Sequence, residues 1–212
     1  FNILYFHPKS SRFIKEFVNS CTICLTQKPI ENREITLGTE RTMKPEKCNS
    51  HYYMDVIPMP KSGNFSGFVI FSDAFSGYAI GYPIREKNSN TIKESILHLM
   101  NSVGLVKYIY TDNDVVSMRS AKDLIKLYDI NFLTSSPYSQ FQNTVESIYK
   151  LVKRKLNILC NGNGMEWPTA LPIALSMVNN SILSNANLSR YNIQFKDKSQ
   201  VVVLDNFGEE EI

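Results

Sequence analysis

HYYMDVIPMP, residues 51–60, has the make-up of a β-strand apart from one residue. Tyr52, Tyr53, Met54, Val56, Ile57 and Met59 are aromatic, β-branched or apolar, the types that fill a pleated and largely buried surface. Asp55 stands among them. A buried carboxylate is costly unless something pairs with it, so the stretch raises the question of what Asp55 holds.

Two more strand-like runs follow, GFVIFS (67–72) and GYAIGYPI (77–84). The turns between the three runs, around Lys61 to Asn64 and Asp73 to Ser76, are short, which predicts an antiparallel meander. Asn88 or Ser89 can cap a helix whose apolar residues Ile92, Ile96, Leu97 and Met100 recur at helical spacing and which ends before Gly104. VKYIYTD (106–112) reads as a strand, AKDLIKLYD as a helix and INFLT (130–134) as a strand, followed by helices over roughly 144–160 and 166–182. Because the helix after the meander crosses over, strand 106–112 can lie beside strand 52–59. The expected fold is α/β, a five-stranded mixed sheet of order 3-2-1-4-5 flanked by helices. In that order the chain leaves its first strand on one side and resumes on the other, the kind of switch point where α/β sheets bind ligands, with Asp55 and Asp112 flanking the crevice.

With 212 residues, 43% of them hydrophobic and 20% charged, the chain is long enough for one packed domain with an appendage. No apolar run is long enough to span a membrane, and FNILYFHPKS at the start lacks the apolar core of a signal peptide, so the chain reads as intracellular. It opens on Phe rather than Met and reads as a fragment of something longer. The net charge of +3 is modest, but residues 136–160 carry four Lys/Arg against one Asp/Glu, a local excess compatible with a polyanionic partner.

Asp112 closes an apolar strand; taken alone, T-D-N-D is a polar turn. In TVESIYKLVKRKLNILC, Val145, Ile148, Val152, Leu156 and Leu159 fall on one helical face, while Glu146, Lys150, Lys153 and Asn157 fall on another. One acid thus heads a basic stripe. Carboxylates from two adjacent strands and a later helix can converge on a magnesium site, and two such ions can serve phosphodiester displacement, with the basic stripe meeting phosphates. Cys21 and Cys24 form a C-x-x-C, half of a tetrahedral zinc site. Cys48 and Cys160 read as ordinary thiols, His51 and His98 as satisfied structural residues, Trp167, Leu171, Ala174 and Val178 as a core stripe, and Asp73 as a turn acid.

These segments, taken in order, resemble the integrases of retroviruses and LTR retrotransposons, whose core has a ribonuclease-H-like fold and a D, D, E triad. YFHPKSSRFIKEFVNSCTICLTQKP is similar to the end of the zinc-binding domain, YYMDVIPMPKSGNFSGFVIFSDAFSGY to the first-Asp region, YIYTDND to the second, SSPYSQFQNTVESIYKLVKRKL to the Glu region, and NLSRYNIQF to the segment that closes the core. The resemblance implies domains at 1–30 (zinc-binding remnant), 31–49 (linker), 50–185 (catalytic core) and 186–212 (C-terminal extension). It places Asp55, Asp112 and Glu146 as the catalytic triad and the ligands of Mg2+ or Mn2+. Ser136, Pro137, Tyr138, Gln142 and Asn143 match the loop that precedes the Glu and approaches DNA. Cys21 and Cys24 would hold Zn2+ only with ligands missing from this chain. Two departures stand out: Asp114 lies where the family has Gly, and no Gly follows Asn143.

The implied function is metal-dependent 3′-end processing and strand transfer, inserting element DNA into host DNA in the nucleus. The implied partners are DNA and further copies of the chain, with no membrane and no nucleotide cofactor. Two alternatives stay open: a catalytically inactive, integrase-derived DNA-binding or interaction protein, and a ribonuclease H, which would recruit Glu94 from the helix after the meander.

Overall fold

The computed structural model describes residues 10–23, 45, 47–111, 122, 124–134, 140–183 and 186–195. Helix α1 (Ser10–Ser20) precedes the meander β1 (His51–Ser62), β2 (Phe65–Asp73) and β3 (Ala79–Ile84). Helix α2 (Ser89–Val103), β4 (Tyr108–Thr111), β5 (Asn131–Thr134), α3 (Gln140–Asn163), α4 (Trp167–Asn179) and α5 (Arg190–Phe195) complete the described elements, with residues 124–128 also helical.

The five strands form one sheet in the order β3-β2-β1-β4-β5. β1 and β2 pair antiparallel with Asp55 opposite Ile70, and β2 pairs antiparallel with β3. β4 runs parallel to β1, in the register Tyr53↔Tyr110, and β5 runs parallel to β4. The parallel step needs a crossover, which α2 supplies. Asn88 caps α2 through its side-chain oxygen, which accepts the Thr91 N–H at 2.9 Å, and Gly104, at φ 87°, ends it.

Period-two alternation divides the core between the two sheet faces. Tyr52, Met54, Val69 and Phe71 pack with Ile92, Ile96 and Leu99 of α2 and with Leu124. Ile57, Phe68 and Ile70 pack on the other face with Ile148, Val152 and Leu156 of α3 and with Leu171, Ala174 and Val178 of α4. Trp167 anchors the start of α4, its indole N–H donating to the Pro60 carbonyl at 2.7 Å. The sheet thus has a helical layer on each side, the arrangement of a ribonuclease-H-like core.

Candidate functional site

Asp55 pairs with Ile70 and lies two residues before Ile57, so it belongs to the face covered by α3 and α4. It is half-buried, and its Oδ1 accepts the N–H of Val56 at 2.7 Å. Glu146 is on α3, two residues before Ile148, a buried residue of the same cluster as Ile57 and Ile70. Its carboxylate is exposed and pairs with the Lys150 ammonium at 2.7 Å. Asp55 and the helix bearing Glu146 therefore meet on one side of the sheet. Glu94, by contrast, is exposed on α2, which covers the opposite face.

Asp112 and Asp114 lie outside the described residues, as do Ser136, Pro137, Tyr138 and Cys24. The described part of β4 ends at Thr111, next to Asp112. Gln142 and Asn143, expected in a loop, fall within the first turn of α3, which starts at Gln140 rather than near 144. Lys153 is exposed, its Nζ 5.9 Å from the centre of the Tyr149 ring, and Asn157 is half-buried further along the helix. Cys21 is half-buried just past α1. Among the described residues no group of three His, Cys, Asp or Glu side chains is placed to hold a metal ion. The donor chemistry of Asp55 and Glu146 nevertheless fits a hard divalent cation, since each offers only carboxylate oxygens.

Asp73 is a turn acid in a demanding form. It is fully buried; one oxygen accepts the Asn49 N–H at 2.7 Å, and the other accepts the N–H groups of Phe75 and Ser76 and the Ser76 hydroxyl. The Ser76 hydroxyl, with one proton shared between Asp73 and the side-chain oxygen of Gln194 on α5, links the turn to that helix; the Gln194 amide donates to Asn49, and the Tyr52 hydroxyl donates to Asn49 at 2.8 Å. This network ties the segment before β1, the end of β2 and α5 together, and burial raises the Tyr52 phenol well above its ordinary range. Sequence reading identified Asp73 but not Asn49, Ser76 or Gln194, which come together across 145 residues of chain separation.

The histidines depart from expectation. His98 is exposed, tilted against Tyr82. The Nδ1 of His51 is buried with no hydrogen-bond partner among the described residues, and its ring stacks on Tyr108 at 4.5 Å. Stacking on Tyr108 holds that ring. The two-residue spacings His51/Tyr53 and Tyr108/Tyr110 were the available signal, but only the parallel register shows that the pairs face each other.

No family model matches the sequence. The chain is 24% identical over 195 residues to the Pro-Pol polyprotein of feline foamy virus, and 25% identical over 189 residues to the Gag-Pro-Pol polyprotein of Mason-Pfizer monkey virus. These alignments cover 90% and 87% of the chain but only 16% and 10% of the polyproteins, so the chain spans a small part of their length. Its fold is similar to that of the HTLV-2 integrase catalytic core domain in complex with magnesium, with a TM-score of 0.60 and 20% identity over 70% of this chain and 98% of that one. A simian T-cell lymphotropic virus intasome, solved in complex with the PP2A regulatory subunit B56 gamma, contains a chain that matches with a TM-score of 0.68 and 18% identity, over 95% of this chain and 73% of that one. In fold the chain resembles the catalytic core of the retroviral integrases, and in sequence most of it aligns with retroviral Pol polyproteins.

Proposed function

We propose that this chain is the core of an integrase-type polynucleotidyl transferase, in which water and then a DNA 3′-hydroxyl attacks a phosphodiester. The observation that carries the reading is the shared face of Asp55 and α3, beside a parallel strand β4 whose described part ends one residue before Asp112. Asp55, Asp112 and Glu146 would hold Mg2+ or Mn2+, which when bound lowers the pKa of the attacking oxygen and stabilises the leaving one. The chain's own part is positioning. Asp55 sits on a strand packed on both faces, and Glu146 on a helix anchored by Ile148, Val152 and Leu156. Lys150 and Lys153, on exposed turns of that helix, meet phosphates.

Relatives support the partners as well as the chemistry. HTLV-2 cores are described in trimeric and dimeric forms, and the simian virus structure is an intasome, which favours a homo-oligomer on DNA; work in the nucleus follows from the integrase reading alone. Helix α1 and the cysteines after it fit the end of a zinc-binding domain, with Zn2+ requiring two further ligands. The exposed position of Glu94 on the opposite side of the sheet argues against the ribonuclease H alternative. The test is strand transfer by the parent full-length protein, with an oligonucleotide carrying the element's end. Joining in magnesium or manganese that is lost in Asp55→Asn supports the enzyme; DNA binding without joining supports the non-catalytic descendant.

A further inference from the structure

The sheet has two edges, and the chain treats them differently. On β3, the Asn179 side-chain amide takes both main-chain groups of Ala79 at 2.8 Å, and Pro83 has no N–H to offer, so that edge is closed to another strand. On β5, among the described residues, no strand pairs with the outer side of Asn131–Thr134. Asn131 gives its N–H inward to the Lys107 carbonyl at 2.8 Å, so by alternation the main-chain groups of Phe132 and Thr134 point outward.

Apolar side chains flank this open edge on both faces of the sheet. Leu133 is 39% exposed, on the face of its register partner Tyr110. Phe132 packs with the core on the α2 side, where Leu124 is buried but Ile125, Leu127 and Tyr128 are left exposed. An extended peptide that is apolar at successive positions fits such an edge, because a strand laid there has both of its faces covered.

This chain carries one. Residues 196–212, KDKSQVVVLDNFGEEEI, lie outside the described residues and contain an unbroken β-favouring run from Val201 to Leu204. The route to the edge is short. Gln194 of α5 donates to Asn49, the Ser50 carbonyl accepts the Lys107 N–H, and the Lys107 carbonyl accepts the Asn131 N–H, so α5 finishes at the end of the sheet where β5 begins. From β1 to a position outside β5 is three strand spacings, about 14 Å, and the five residues 196–200 span about 16 Å when extended.

We propose that Val201–Leu204 pairs with the outer edge of β5 as a sixth strand, parallel to it, so that the chain closes its own open edge. Alternate side chains of the run cover Leu133 on one face and the exposed side chains of residues 125–128 on the other. The short tether favours this chain's own segment over one from another copy, because it holds the run at high effective concentration beside the edge. The proposal stands apart from the DNA reading and survives or fails without it.

The experiment is hydrogen exchange on the 212-residue chain, read residue by residue by NMR. The amides of 201–204 should exchange at least about tenfold more slowly than in an unstructured peptide of the same sequence. Val202→Pro, which removes a donor and blocks pairing, should abolish that protection and speed exchange at Phe132 and Thr134 while leaving β1, β2 and β3 unchanged. Leu133→Glu, a change at an exposed position, should loosen 201–204 from the other side. If the proline variant does not fold, the protection in the unmodified chain and its loss in Leu133→Glu still decide. Exchange of 201–204 at the free-peptide rate overturns the proposal, as does protection that neither substitution alters. Protection that disappears on dilution also overturns it, because the strand would then come from a second copy.

Discussion

Glu146 and Lys150 form an ion pair of 2.7 Å across one turn of α3, with each side chain about half exposed (56% and 50%). Such pairs contribute at most about 1 kcal/mol to stability. The pair instead keeps a cation next to the carboxylate assigned to the metal site. Replacing Lys150 and Lys153 with Ala should shift the unfolding free energy by less than about 1 kcal/mol. It should weaken binding to all DNA sequences about equally and lower the slope of log K against log salt by about two, as measured by titration at several salt concentrations. A loss confined to one sequence would point to base contacts instead.

Asp73 predicts the opposite balance, a large effect on stability away from the chemistry. Its carboxylate satisfies three backbone N–H groups and a hydroxyl at a fully buried turn. Asp73→Ala strands those donors, and we expect a loss of about 2–4 kcal/mol in urea denaturation. Gln194→Ala, which removes one spoke of the network, should cost less.

Gly67 tests the sheet at close range. A Cβ there would collide with the main-chain carbonyl of Ile57 on β1, and main chain within a sheet cannot swing aside. Gly67→Ala should destabilise by about 2 kcal/mol or more, against a few tenths for Gly63→Asn at the open, left-handed turn position. Thermal unfolding of both variants checks the contrast.

His51 links stability to pH. Burial, the largest cause, lowers its pKa from 6.5; Asp73 opposes the shift, and Lys107 adds a smaller lowering. The unfolded chain therefore takes up a proton at a pH where the folded chain still resists it. Stability from this group is full above the unfolded value and declines as pH falls through about 6.5 toward the folded value. His51→Phe keeps a ring to stack on Tyr108 and removes the titration. Its stability should fall less than that of the parent between about pH 7 and 5, measured by urea unfolding at each pH.

The strand order was legible because β1 is covered on both faces. Met54 and Val56 report one apolar side and Ile57 and Met59 the other, so a lone carboxylate stood out, and the short turns fixed the meander. The start of α3 was not legible. SQFQN is polar apart from Phe141 and matches a loop in the resembled family; the helical spacing of Phe141 with Val145 and Ile148 was the one available signal, and the backbone shows that Gln142 and Asn143 are helical. The stacking of His51 on Tyr108 was hidden for a different reason. The two rings are 57 residues apart, and neither HYY nor YIY reveals the register that stacks them. Glu146 emerged from helical spacing, but its side of the sheet became evident only with the packing of Ile148.

The most direct test of the account is strand transfer by the full-length parent protein carrying Glu146→Gln, compared with Glu94→Gln. The first keeps side-chain volume and removes the charge on the helix over Asp55; the second makes the same change on the opposite side of the sheet. The account predicts that Glu146→Gln lowers joining in magnesium or manganese by at least about a hundredfold while leaving thermal unfolding of the metal-free protein nearly unchanged, and that Glu94→Gln retains activity. Full activity in Glu146→Gln, or loss confined to Glu94→Gln, would contradict it.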